Sequence, residues 1–345
     1  MLRILNPILN KIPVQRQTPE CIGSLRGWAY SHRRHRVEQM KVSKNAAYGM
    51  MAFAAIMWAT SGTLSILAFD EGASVLEVTV LSYVFSAAIL LPALLILDPK
   101  SLLIERKHVL PLLAFSLVTG TFFSLSWYFC LEMTGVATAV TLLYAYPSIV
   151  TIASISLLGE RLTAQKALAL PLTFVGAVLV ASAGFAEGFS FDLVGIGLGV
   201  FTAIAGAVYY LWGKKFLDRY SANTIILYMT VLSIPPLLII ALPLNPFSAV
   251  LTGEAYLWIF LLALIPSTIG FVVSMFALRY IEASKASIVA SIEPVAAVAI
   301  AFLVLSETIN IWQGIGVGLV FLGVLLLRLT REKKEEKPEE VVFDR

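Results

Sequence analysis

Hydrophobic residues along this chain gather into ten long blocks, and the stretches between them hold nearly all of the charge. The blocks run roughly from Tyr48 to Leu67, Val75 to Ile96, Val109 to Leu131, Val136 to Leu158, Ala167 to Ala183, Val194 to Trp212, Thr224 to Leu242, Tyr256 to Leu278, Ala286 to Leu305 and Ile311 to Leu327. A helix that crosses the hydrocarbon of a bilayer needs about 20 apolar residues, so each block is near the required length. None shows the period-two alternation of a barrel strand, and a helix satisfies its own backbone in lipid. The pattern predicts an all-α membrane protein with ten transmembrane helices.

The blocks repeat. At an offset of 147 residues Ala139 falls on Ala286, Pro147 on Pro294, Leu158 on Leu305, Glu160 on Glu307 and Gly176 on Gly323. The match continues through Leu117 with Leu264, Thr121 with Thr268, Phe129 with Phe276 and Phe174 with Phe321. Membrane composition does not freely supply a coincident proline, glutamate and glycine. The chain therefore reads as two copies of a five-helix unit, residues 45–183 and 193–328. Five is odd, so the second copy enters the membrane from the other side, which is the inverted arrangement of secondary transporters.

Composition agrees: 59% of residues are hydrophobic and 14% charged, too far from a soluble domain for any other class. With both ends cytoplasmic, the basic residues, Lys41, Lys44, Lys100, Arg106, Arg161, Lys166, Lys214, Arg279 and Lys285 among them, fall on the inner side. The outer segments carry Asp70, Glu71, Glu132, Glu187, Asp192, Glu254 and Glu307. That split sets the expected orientation in a cytoplasmic membrane. Residues 1–44 form a basic extension, disordered or untranslated, with Met40 as the favoured start and a transit peptide or twin-arginine signal as the alternatives. The charged tail 329–345 reads as disordered. Two cysteines, Cys21 and Cys130, allow no disulfide framework or Cys-based zinc site.

Proline in the fourth and ninth blocks, LeuLeuGlyGluArgLeuThr at 157–163, LeuSerGluThrIle at 305–309 and a glycine in each following block together resemble the EamA family of the drug/metabolite transporter superfamily. The resemblance covers about Lys44 to Leu327. It implies transport of small metabolites, amino-acid-like or related, by alternating access through a cavity between the repeats. A sugar-phosphate or nucleotide-sugar carrier is the alternative within transport, and a non-transporting scaffold or receptor the alternative outside it. An enzyme is not expected, because His32, His35 and His108 lie outside the blocks and Glu293 has no second carboxylate at its depth. The expected partners are a small-molecule substrate, the lipid bilayer and protons as a candidate coupling ion, with no cofactor and no nucleic acid. The chain is expected to work as a monomer or weak homodimer.

Glu293 is the leading candidate for substrate binding. A carboxylate at mid-membrane costs about 2.5–3.5 kcal/mol on insertion scales, so it must be protonated, paired or turned to water. A hydrogen bond to a backbone carbonyl freed by Pro294 is the competing structural reading. In the fourth block Thr141, Tyr144 and Ser148 lie on one helical stripe with Thr138 and Thr151, suited to binding or to interhelical hydrogen bonding. Trp58, Trp127 and Tyr209, with Tyr128 and Tyr210 beside them, could line a cavity or belong to an interfacial belt. Ser291 completes the substrate set. Pro147, Pro294, Glu160 and Glu307 are expected to serve structure or gating. Glu77 is placed to reach the outer interface, and Lys285 is the one basic residue near a block end with reach inward. The glycines at 195, 197, 199, 314, 316 and 318 read as helix-packing positions, since dinucleotide binding needs them between a strand and a helix.

Overall fold

The computed structural model describes residues 42–180, 192–244, 251–304 and 310–328. Among these, eight helices are long and apolar enough to cross a bilayer: α1 (Lys44–Asp70), α2 (Val75–Leu97), α3 (Arg106–Leu131), α4 (Thr138–Leu158), α6 (Leu193–Phe216), α7 (Ala222–Ala241), α8 (Gly253–Leu278) and α9 (Ala283–Val304). Two shorter apolar helices, α5 (Ala164–Val180) and α10 (Ile311–Leu327), complete the ten. The basic extension and the charged tail lie outside the described residues, apart from 42–44.

Helix starts differ from the hydrophobic boundaries because capping side chains set them. Ser43, Asp192, Ser221 and Thr252 each accept a hydrogen bond from the backbone N–H three residues on, which satisfies a donor that the first turn leaves without a partner. Ser74 and Glu77 form a reciprocal capping box at the start of α2. Glu77 is thus turned back on its own helix end and is 2% exposed, where the sequence suggested that it reaches the interface. Asn310 and Gln313 make the equivalent reciprocal pair at α10, at 2.9 Å in both directions. The turn between α3 and α4 also departs from the expected loop: helical geometry runs unbroken from Phe123 to Leu143.

The internal repeat is visible in the irregularities of the helices. A π-helical segment occupies Leu117–Phe122 in α3 and Ala263–Gly270 in α8. Helix α4 breaks at Tyr144–Ala145 and restarts at Tyr146, and α9 breaks at Ser291–Ile292 and restarts at Glu293. Pro147 and Pro294 each occupy the second position of the restarted helix, where a missing N–H costs nothing. The reading in which Pro294 frees a mid-helix carbonyl is therefore replaced: the proline starts a helix.

Helices α5 and α10 pack against each other at backbone distance. A Cβ on Gly316 would lie 2.6 Å from the Gly176 carbonyl oxygen, and one on Gly176 would lie 2.8 Å from that of Gly316. Only glycine fits there. Gly195 and Gly199 are also tightly packed, whereas a Cβ at Gly197, Gly314 or Gly318 would meet nothing within 4 Å. The glycine runs are packing residues at some of their positions and open at the rest. Outward-facing Leu, Ile and Phe side chains such as Ile96, Leu110 and Leu303 cover the perimeter, as lipid contact requires.

Candidate functional site

A cavity of about 250 Å³ lies at mid-depth, with lining residues from both repeats. It extends from the breaks toward the face away from the start of α1 and the end of α10; the latter two define what is called here the terminal face. The second repeat contributes Glu293, at the first position of the restarted α9 and only partly buried because it opens into the cavity. Its repeat counterpart Tyr146, at the first position of the restarted α4, lines the same cavity. The two breaks thus deliver a carboxylate and a phenol to one space.

Aromatic rings form much of the wall. The Trp58 ring lies 6.2 Å from that of Tyr209 and 5.2 Å from that of Phe271. Tyr146 and Tyr210 stack at 5.6 Å with planes 6° apart. The indole edge of Trp58 fits because Gly270 faces it, a Cβ there lying 2.9 Å from Cδ1. Its Nε1 is buried without a hydrogen-bond partner. Trp127 and Tyr128 line the space as well, so these aromatics belong to the cavity and not to an interfacial belt.

The hydroxyl groups of the lining have a directional bias. Thr79 donates to the Val75 carbonyl at 2.8 Å, Ser82 to that of Thr79 at 2.9 Å and Thr119 to that of Phe115 at 2.8 Å. Thr268 donates to the Ala263 carbonyl at 2.7 Å, which leaves Ser86 as the donor of their shared 2.8 Å bond. Ser274 donates to Phe271 at 2.9 Å, so Tyr209 is the donor in its 2.6 Å bond to Ser274. A hydroxyl has one proton and two lone pairs; with the proton committed, it offers the cavity only acceptor character.

Of the substrate candidates from the sequence, Glu293, Trp58, Trp127 and Tyr209 line the cavity, and Thr141, Tyr144, Ser148 and Ser291 do not. Tyr144 stands behind the wall with its hydroxyl within hydrogen-bonding reach of Glu293. Ser291 is buried in the break, its N–H bonded to the Ile288 carbonyl at 3.1 Å. Sequence reasoning missed the contribution of α2: Thr79, Ser82, Tyr83 and Ser86 all face the cavity. Their spacing of three and four residues in an otherwise apolar helix was the signal that could have found them. It also missed Thr119, Pro266 and Ser267, which the two π-helical segments turn inward.

The terminal face is closed by packing and charge. Phe115 stacks on Tyr209 at 6.4 Å and meets Phe216 edge-on at 5.5 Å. Gly159 takes the left-handed conformation at the end of α4, φ 70°, and so turns Glu160 toward the other repeat. Glu160 accepts from the backbone N–H groups of Ala283 at 2.6 Å and Ser284 at 3.3 Å, and from the Ser284 hydroxyl. These are the first residues of α9, whose own flanking residue Glu282 supplies no side-chain cap. Lys166, 1% exposed, reaches Glu160 at 3.3 Å and Glu282 at 2.6 Å. Burial opposes ionisation of Glu160, but the Ser284 hydroxyl, Lys166 and the two N–H groups outweigh it and hold its carboxyl below the usual carboxylate range. Lys285 pairs with Glu282 at 3.5 Å and is absent from the cavity lining. Glu307 lies outside the described residues. On the opposite face the repeats also pack, Leu64, Ala68 and Val78 against Leu251, Ala255 and Ile259, but the polar contact there is an exposed 2.8 Å hydrogen bond from Thr252 to Glu71 with no buried ion pair beside it among the described residues.

Comparison with known proteins places this architecture. An uncharacterized transporter of Archaeoglobus fulgidus is 28% identical over 265 residues, 77% of this chain and 91% of the relative. The uncharacterized inner membrane transporter YicL of Salmonella typhimurium is 24% identical over 291 residues, 81% of this chain and 94% of the relative. A solved crystal structure of a protein at 18% identity superposes with a TM-score of 0.74 over 83% of this chain and 98% of that one, which is likeness of fold. The model of the EamA-like transporter family matches residues 45–182 and again residues 193–329. With ten apolar helices in two inverted repeats and both repeats matched, this chain is a multi-pass membrane protein that belongs to the EamA-like transporter family.

Proposed function

We propose that the chain is a secondary carrier of small organic metabolites, working by alternating access in the cytoplasmic membrane with both termini in the cytoplasm. One observation carries the reading: a cavity at mid-depth, lined by both repeats, into which Glu293 opens. A site of that kind between inverted repeats can be exposed to either side by rocking one repeat against the other. The terminal face is sealed in this conformation by the Phe115 ring cluster and the buried Glu160 contacts, whereas the cavity lining leans toward the other face. Placing the termini in the cytoplasm therefore makes this an outward-directed state. Glu293 serves as the binding carboxylate, with Tyr144 holding it from behind. Trp58, Trp127 and Tyr209 shape the space around the substrate. A phosphorylated substrate is disfavoured, because no Lys, Arg or His occurs among the described residues of the lining.

The test is flux in reconstituted proteoliposomes for a broad metabolite panel, in both directions, with and without a pH gradient. The carrier reading expects substrate-specific, saturable flux that Glu293→Gln reduces. Flux of no panel compound in either direction would overturn it. Protons are coupled if an imposed pH gradient drives accumulation beyond the level reached without one.

A further inference from the structure

The cavity has a chemical polarity that narrows its ligand further than transport alone requires. Glu293 is the only carboxylate among the described lining residues, and no basic side chain accompanies it. Any ligand that brings a second negative charge must leave that charge without a cationic partner. Several of the neutral hydroxyls are committed as well. The hydroxyls of Thr79, Ser82, Ser86, Thr119 and Tyr209 already donate to partners inside the protein. They present lone pairs, which accept from an ammonium and repel a carboxylate. The indole N–H of Trp58 and the hydroxyl of Tyr210 are buried in the wall without a hydrogen-bond partner, so the neutral donors left to a ligand there are single and uncharged.

The rings complete the picture. Trp58, Tyr209 and Phe271 form one cluster within 6.2 Å of one another, and the stacked pair Tyr146 and Tyr210 adjoins it, Tyr210 lying 5.3 Å from Tyr209. An aromatic face carries partial negative charge, so a desolvated cation gains from it as it does from Glu293. The volume of about 250 Å³ is at the small end of ligand cavities, which suits a single ring system.

From the lone carboxylate, the absence of a basic side chain, the committed hydroxyls and the ring faces together, we infer that this cavity selects a small organic monocation: a protonated amine with an aromatic or compact apolar body and no carboxylate of its own. The ammonium meets Glu293, and the body lies against the Trp58 and Tyr146 clusters. This inference rests on the carrier reading of the same site and departs from the amino-acid-like substrate that the family resemblance suggested. An amino acid would bring its amine to Glu293 and leave its carboxylate without a cationic partner.

Matched pairs that differ by one carboxylate test it. Tryptamine against tryptophan and phenethylamine against phenylalanine are titrated by calorimetry into the purified full chain in lipid nanodiscs, with phenylpropionate as the anionic control. Each amine is expected to bind about thirtyfold tighter than its amino acid or better, the scale of leaving one buried charge without a partner. Phenylpropionate is expected not to bind, and Glu293→Gln to weaken the amines by a similar factor with an unchanged elution profile. Equal or tighter binding of the amino acids, binding of phenylpropionate, no binding by any amine, or undiminished amine binding in a folded Glu293→Gln variant would each overturn the inference. The matched pairs need no variant, so they decide even if Glu293→Gln does not fold. Proteoliposome flux separates the two readings. Amine binding with no flux of any solute sinks the carrier reading and leaves the ligand class standing. Flux of carboxylate-bearing solutes without amine binding sinks the ligand class and leaves the carrier.

Discussion

Positions 146 and 293 are the same place in two copies of one unit, and they carry different chemistry. Each is the first residue after a helix break, each precedes a proline, and both line the cavity. What the copies share is the backbone device, a break that turns one side chain inward at mid-membrane. What they do not share is the side chain. Tyr146 stacks on Tyr210 and adds an aromatic face, whereas Glu293 has the lining's carboxylate, with Tyr144 behind it. Duplication fixed where the ligand can sit, and divergence at one pair of positions made the site lopsided in charge.

Changing both members of the pair is the strongest way to break that comparison. Glu293→Gln is expected to reduce carrier flux about thirtyfold or more, because it removes the carboxylate that the proposed ammonium would meet. Tyr146→Phe keeps the ring stack and is expected to change flux by less than about threefold. Equal losses in the two would mean that the positions act as a symmetric pair, and initial uptake rates decide it. The next effect is structural. Gly316→Ala puts a methyl group 2.6 Å from a backbone oxygen in the α5–α10 pair. It is expected to cost about 1–3 kcal/mol in thermal unfolding of the detergent-solubilised chain. Gly314→Ala, two residues away on another side of the helix with nothing within 4 Å, is expected to be neutral in the same assay.

A third prediction turns on the two faces. Glu160→Gln removes a charged cap from α9 and is expected to cost about 0.5–2 kcal/mol. Glu71→Gln, at the exposed contact with Thr252, is expected to cost within about 0.5 kcal/mol. The pH dependence has a definite sign. Glu160 is held below the usual carboxylate range in the folded chain, so the unfolded chain binds more protons at acid pH. Its contribution is complete above the ordinary carboxylate range and disappears as pH falls through the lowered value. The difference in unfolding temperature between the parent chain and Glu160→Gln should accordingly shrink on acidification; a constant difference would show that the charge on Glu160 contributes nothing.

Much of this architecture can be read from the residues. The ten helices follow from block length, and the repeat follows from Pro147 with Pro294 and Gly176 with Gly323, residues that a helix in lipid does not adopt without reason. Glu293 stands out for the same cause. The parts that stayed hidden depend on partners distant in sequence or on backbone geometry without a composition signal. Nothing local to Leu117–Phe122 announces a π-helical turn, so the inward aim of Thr119 was invisible. The Ser74 and Glu77 capping box and the 79, 82, 83, 86 stripe are present in plain spacing, but a hydroxyl in a lipid-spanning helix can bond its own backbone and so does not by itself mark a cavity. The polar stripe of α4 misled in the opposite way, because the break at Tyr144–Ala145 rotates its two halves apart. Thr138 and Thr151 end up buried with unpaired hydroxyls, outside the lining.

The cap on α9 bears on how the chain is made. Its donors appear more than 120 residues after the carboxylate that satisfies them, and Glu282 beside them offers no side-chain cap. By the time the ribosome delivers α9, Glu160 and its Gly159 turn have already been synthesised. The second repeat expressed alone would insert a helix with bare N–H groups next to Lys285 and without Lys166 to balance Glu282. Two copies that match in sequence are therefore not interchangeable parts: a helix of the later one is completed by a side chain of the earlier.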